Sequence, residues 1–206
     1  KKLSVKKLPV KFKMVDGFFD ISNNGLTSLD GCPKTITGDF NCSRNSLVSL
    51  FEGPTEVSDF DCSYNQLKNL SYAPKEVKGN FDCSNNLIDS IKGMPRTIKG
   101  SFKCSTNKIA TLKGGPKYVD ASFDCSENLI ERLTGGPVSV GQDYLCFKNN
   151  LTDLDGVADE IGFDLVSDIR LNHLSSTFNE EEKTWRYKGS EVISHIYKPI
   201  VALTNV

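Results

Sequence analysis

Val77-Lys78-Gly79-Asn80-Phe81-Asp82-Cys83-Ser84-Asn85-Asn86-Leu87-Ile88 is the stretch whose reading decides the fold of this chain. From Val77 to Cys83, apolar or small residues take every second position, which is the signature of a half-buried strand. Ser84 and Asn86 end that strand. An asparagine amide there can satisfy backbone groups of the turn and of a neighbouring coil, so stacked copies would build an asparagine ladder. Ile88 and Ile91 fill the coil interior, and the segment from Gly93 to Pro95 turns the chain back. Too few residues separate one such strand from the next to admit a long helix.

The same pattern recurs along the chain. Cys42, Cys62, Cys83, Cys104, Cys125 and Cys146 follow one another at intervals of 20, 21, 21, 21 and 21 residues. Two residues before each stands an aromatic (Phe40, Phe60, Phe81, Phe102, Phe123, Tyr144), and three after it an asparagine (Asn45, Asn65, Asn86, Asn107, Asn128, Asn149). Aliphatic residues follow at five and at eight, and Val or Ile closes the unit at fifteen. An earlier copy carries Ile21 in the cysteine slot, with Phe19, Asn24, Leu26 and Leu29 in register, making seven copies. A degraded eighth begins at Ile161, and half a unit precedes the first through Val15 and Gly17. Periodicity of this kind fixes the architecture as a stacked solenoid.

A lone copy could not fold. Its few buried side chains contribute roughly 1.5 to 3 kcal/mol each, while ordering the backbone costs about 1 to 2 kcal/mol per residue. Stability must therefore come from neighbouring coils.

Seven cysteines would ordinarily suggest disulfides or zinc. No C-x-x-C pair occurs, and His173 and His195 lie beyond the last cysteine. A cysteine repeated at one strand position instead behaves as a small buried hydrophobe. The set reads as reduced core residues in a reducing, cytoplasmic compartment, and no cofactor or metal is expected. Calcium finds no loop with liganding oxygens at alternate positions.

Charge is distributed unevenly. Lys1, Lys2, Lys6, Lys7, Lys11 and Lys13 place six of the 25 basic residues in the first thirteen positions, and the remainder is acidic. That profile excludes a nucleic-acid-binding domain, which needs a basic patch on its folded face. Residues 1–17 are expected to form a basic arm or cap, with a solvated terminus the leading reading. No apolar run reaches the roughly 18 to 20 residues needed to span a bilayer, so no membrane association is expected. The solenoid should occupy 18–166 and a C-terminal cap 167–206, with a recruiting module as the alternative reading of that last segment.

The residues now carry a likeness. Read as L-x-x-L-x-L-x-x-N-x-L, the segment from Val57 through Phe60, Cys62 and Asn65 to Leu67 resembles a leucine-rich repeat. The form F-x-C-S-x-N-x-L followed by G-x-P resembles short repeat proteins of tailed bacteriophages and bacteria. It departs from the usual family in placing Phe and Cys on the strand and in carrying, in most copies, an added residue such as Gly79 before the aromatic. The resemblance implies a β-rich, right-handed α/β-type leucine-rich-repeat solenoid with a parallel sheet on one face and extended or turn-like segments on the other. It implies protein recognition and no catalytic residue. A phage origin would suggest capture or inhibition of a host defence factor in the host cytoplasm.

Outward strand positions form columns across the sheet. One reads Asp20, Asn41, Asp61, Asp82, Lys103, Asp124, Leu145, and the other Phe18, Asp39, Asp59, Asn80, Ser101, Ser122, Asp143. Strands lie about 4.8 Å apart, so Asp61 with Asp82, and Asp39 with Asp59, repel by on the order of 1 kcal/mol per pair even in water. Two readings stand. The acids steer a basic protein partner, or they keep the sheet soluble and discourage sheet-to-sheet association. Paired carboxylates also serve glycosidases, but no pocket-forming insertion interrupts the repeats.

In the seventh copy, Leu145 and Phe147 replace polar residues. They form either an exposed hot spot or a surface beneath the terminal cap, and the cap is the leading expectation. Tyr64 is a lone aromatic at a variable outward site. The segment from Ser190 to Pro199 reads as a short capped helix. Trp185, Tyr187 and Ile196 are expected to pack on the final coil, and His195 to be structural. The expected function is a non-enzymatic protein-binding scaffold whose candidate contacts are Asp39, Asp59, Asp61, Asp82, Asp124, Asp143, Tyr64, Leu145 and Phe147. The alternative is a self-associating structural component of a virion or surface array.

Overall fold

The computed structural model describes residues 6–169, 176–179, 181 and 184–189. The chain winds into a parallel β-solenoid of about seven coils, with a two-residue strand at Phe19–Asp20 and at each equivalent position through Tyr144–Leu145. These strands stack in the register of the sequence repeat, Phe60 opposite Phe81 and Asp61 opposite Asp82. With the C-terminal strands they form one ten-stranded sheet.

A second line of short strands runs along the closing side of the coils. It comprises two four-stranded parallel ladders, one from Met14–Val15 to Glu76–Val77 and one from Thr97–Ile98 to Glu160–Ile161. Here the structure departs from the single strand read between Val77 and Cys83. That segment is two strands, Glu76–Val77 and Phe81–Asp82, separated by a bend at Lys78–Asn80. Burial still alternates through the bend, because Val77, Phe81 and Cys83 all point inward. The alternation therefore looked continuous in sequence. At the next corner the coils approach closely: a Cβ at Gly100 would lie 2.7 Å from backbone atoms of Gly79 and Asn80.

The interior is built from columns. Phe19, Phe40, Phe60, Phe81, Phe102, Phe123 and Tyr144 stack along the axis with neighbouring ring centroids 5.0 to 6.1 Å apart, in a mixture of stacked and edge-on contacts. The six thiols of the cysteine column, and that of Cys32 outside it, are buried and free. Burial pushes the Cys32 and Cys146 thiols from their ordinary 9.0 up to about 12, and those of Cys42, Cys62, Cys83, Cys104 and Cys125 well above it. Tyr144 is the exception in the aromatic column, since its hydroxyl is buried with no hydrogen-bond partner among the described residues.

The asparagine ladder forms as its chemistry predicts. The Asn86 amide donates to the carbonyls of Cys62, Cys83 and Ser84, and its Oδ1 accepts from the Leu67 amide. Asn45, Asn65, Asn107, Asn128 and Asn149 repeat the arrangement. One residue earlier, each coil takes a left-handed backbone, at Asn23, Arg44, Tyr64, Asn85, Thr106, Glu127 and Lys148, with φ between 52° and 58°.

Over its described part the basic N-terminal segment packs as a cap while its lysines remain exposed. Lys6–Val15 lies along the first coil: the Lys6 carbonyl accepts from Thr27, the Phe12 amide donates to Gly31, and Met14–Val15 pairs with Thr35–Ile36. The reason is packing, because Leu8 and Val15 hold core-facing places and the Phe12 ring meets Phe19 edge-on at 5.0 Å. Lys7 and Lys11 both approach the Asp30 carboxylate, at 3.7 and 3.8 Å.

At the other end, Thr184–Lys188 runs antiparallel to Asp164–Ser167 and Ser176–Asn179 runs antiparallel to Thr184–Lys188. Tyr187 is buried opposite Leu165 and donates its hydroxyl to the Ile169 carbonyl, while Trp185 packs half-buried on the core. The helix read from Ser190, together with Ile196 and His195, lies outside the described residues. Among the described residues no helix is long and apolar enough to cross a membrane.

Candidate protein-interaction surface

The outward columns of the main sheet fall where the repeat register places them, but their carboxylates have work inside the fold as well. Each acid of the Asp20 column folds back on the turn that follows. Oδ1 of Asp20, Asp61, Asp82 and Asp124 accepts from the amide of the serine two residues on, at 2.8 to 3.0 Å. At Asp82 and Asp124 the serine hydroxyl also donates, at 2.6 Å. These are Asx turns, in which a short carboxylate or amide replaces a backbone acceptor. Asn41 makes the same pair of bonds to Ser43, so the geometry requires the oxygen and not the charge.

The second column reaches between coils. Asp39 Oδ1 accepts from the Asp59 amide, Asp59 Oδ1 from the Asn80 amide, Asn80 Oδ1 from the Ser101 amide, and Asp143 Oδ1 from the Asp164 amide. Here too an asparagine does what the aspartates do. Neither role had been read from the residues. The D-C-S and N-C-S triplets carry the signal for the first, and nothing local carries the second.

Between the two columns, at the N-terminal end of the sheet, lies a concavity of about 290 Å³ lined by Phe18, Asp20, Asp39, Asn41, Asp59 and Asp61, with Phe19 and Phe40 beneath. Phe18 is 76% exposed. No described cationic side chain forms an ion pair with Asp20, Asp39, Asp59, Asp61, Asp82, Asp124 or Asp143. Lys103 stands within the Asp20 column, in register with Asp82 on one side and Asp124 on the other. Burial holds the Asp82 carboxyl above the usual carboxylate range; the Ser84 donors oppose that rise, Asp61 adds to it and Lys103 reduces it.

The other sequence candidates are scattered. Leu145 and Phe147 are half-buried, with Leu145 between Asp124 and the buried Val166 and the Lys148 ammonium 5.8 Å from the Phe147 ring. They are neither a bare hot spot nor fully covered. Tyr64 is exposed, and the Arg44 guanidinium lies 4.2 Å from its ring centroid. Both side chains extend from left-handed positions of adjacent coils.

One surface feature escaped the sequence reading. Phe51 and Tyr72 are exposed and meet edge-on at 5.2 Å on the turn side of the second and third coils. At this turn five copies carry glycine with φ between 83° and 93°, whereas Glu52 and Tyr72 adopt φ of 71° and 66°. The signal was available in the repeat register, as two breaks in a glycine column.

Fold and surface together define a parallel β-solenoid repeat protein with a carboxylate-rich sheet face. Comparison with protein-family models, with curated proteins and with solved structures finds no match to this chain.

Proposed function

We propose that this chain is a non-enzymatic protein-binding scaffold that engages a partner of basic surface on its acidic sheet face. The observation that carries the reading is a run of outward carboxylates, fixed in orientation by backbone donors and left without described cationic partners. One oxygen of each carboxylate is committed to the fold at Asp39, Asp61, Asp82 and Asp124, and the residual charge faces outward. Such a field steers encounter and fixes register more than it adds affinity.

The finer parts of the proposal rest on resemblance: a leucine-rich-repeat protein of phage or bacterial type, working in a reducing cytoplasm and occupying a host factor. The buried, unpaired thiols support the reducing compartment.

Asparagine gives a clean test, because Asn41 and Asn80 already show that it preserves both hydrogen-bond patterns. Affinity capture from bacterial lysates with the wild type and with the D39N/D59N/D61N/D82N variant should recover a partner that the variant loses. That partner should also dissociate as salt rises. Equal retention by both proteins would remove the acidic face and move attention to Leu145, Phe147 and Tyr64. Stable self-association with no foreign partner would favour the structural-component reading.

A further inference from the structure

At the C-terminal end two antiparallel strands, Thr184–Lys188 and Ser176–Asn179, extend the main sheet beyond the last coil and carry its edge away from the repeats. At the N-terminal end the last strand is Phe19–Asp20, which among the described residues has a neighbour on one side only. The amides of Phe19 and Ile21 donate to the Asp39 and Asn41 carbonyls of the next coil. In a parallel ladder successive residues face opposite neighbours. The amides and carbonyls of Phe18 and Asp20 therefore point outward along the open edge. The half-coil at Lys6–Val15 does not close it, since its strand pairs with Thr35–Ile36 on the other side of the coil. It covers the Phe19 ring only partly, by the edge contact of Phe12.

The open edge borders the concavity lined by Phe18, Asp20, Asp39, Asp59 and Asp61. A strand laid along it would alternate its side chains between two environments. Inward residues would stack on the part-exposed Phe19 ring, continuing the aromatic column. Outward residues would meet four carboxylates that have no described ion-pair partner, and the exposed ring of Phe18.

We propose that the Phe19–Asp20 edge takes up an extended segment of a partner protein, with alternating apolar and lysine or arginine residues, as an added strand of the main sheet. Backbone hydrogen bonds to Phe18 and Asp20 hold the segment, and its alternation selects it, which is the logic of β-augmentation. The proposal rests on the acidic-face reading and adds where and how the partner binds. Charge complementarity chooses the occupant: an acidic or uniformly apolar strand would leave the four carboxylates facing like charge or desolvated.

The test uses the full chain, ¹⁵N-labelled, and a synthetic nonapeptide alternating lysine with valine around a central phenylalanine. A second peptide has the same side chains but N-methyl groups on alternate amides. Binding of the first should slow amide exchange at Asp20 and Phe18, and N-methylation should weaken it by about tenfold or more, the loss of one or two backbone hydrogen bonds. D39N/D59N should weaken the unmethylated peptide in a salt-dependent way. Equal binding of both peptides would overturn strand addition while leaving the acidic-face reading intact. Binding unchanged in D39N/D59N would overturn the charge selection. Failure of both peptides to bind would overturn the proposal, as would Asp20 amides already protected in a sedimenting dimer, which would assign the edge to a second copy. Failure of the broader reading would appear separately, as lysate capture indifferent to the four asparagine substitutions.

Discussion

Asn86 ties two coils together by donating from Nδ2 to the carbonyl of Cys62, one coil back, and to that of Cys83 in its own coil, each at 3.1 Å. Its Oδ1 simultaneously accepts from the Leu67 amide at 3.0 Å. No backbone group reaches this place, so the side chain completes the ladder where the coil turns away from the sheet. Replacing Asn86 by alanine would leave buried donors and acceptors unpaired at about 1 to 3 kcal/mol each. N86A should lower stability by about 3 kcal/mol, read as a shift in the urea midpoint at unchanged slope. A loss under 1 kcal/mol would mean that water replaces the amide and that the ladder is dispensable.

The buried thiols make the fold alkali-sensitive. Cys32 and Cys146 keep their protons up to about pH 12 in the folded chain, against an ordinary value of 9.0. Below pH 9 both folded and unfolded chains hold the thiol proton, and this stability is fully present. Above it the unfolded chain releases protons that the folded chain retains, so each such thiol costs about 1.4 kcal/mol per pH unit. Circular dichroism followed upward from pH 8 should show cooperative unfolding between pH 9 and 12. A signal flat to pH 12 would refute the linkage.

Tyr144 carries a hydroxyl into a column of phenylalanines and finds no partner for it among the described residues. Removing an unsatisfied buried hydroxyl recovers part of its desolvation cost. Y144F should be more stable than the wild type by about 1 kcal/mol in thermal or denaturant unfolding. A variant less stable than the parent would show that the hydroxyl is satisfied in solution.

Thr106 holds a left-handed backbone at φ 53°, in a column where Asn23 and Asn85 also stand. Left-handed geometry costs roughly 1 to 2 kcal/mol for most residues, and asparagine tolerates it better. T106N should raise stability by about 0.5 to 1 kcal/mol, the weak Thr106 hydroxyl bond to Glu127 being exposed. A variant of lower stability would place the value of Thr106 in that bond.

Much of the candidate surface could be read before the structure. The repeat register assigns Asp61 and Asp82 to one outward column, and their strands do stack in that register. What those acids do was less accessible. That Asp82 accepts from Ser84 is a local matter, and D-C-S spells it out. That Asp39 accepts from the Asp59 amide depends on how one coil lies on the next. Phe51 and Tyr72 became a pair only because the closure of two turns brings their rings to 5.2 Å.

By itself, the sequence determined the stacking unit, its register, its inward columns and its asparagine ladder. Each follows from residues whose chemistry repeats at a fixed interval, and a repeat can bury its apolar face only against a copy of itself. Tertiary structure alone decided the bend at Lys78–Asn80, the seating of Lys6–Val15 and the open edge at Phe18 and Asp20. These depend on where the coil ends and what covers it. Periodicity specifies the interior of a solenoid, where every coil has two equivalent neighbours. It is silent at the ends, where one neighbour is missing and non-repeating contacts such as Phe12 on Phe19 and Tyr187 on Ile169 take over.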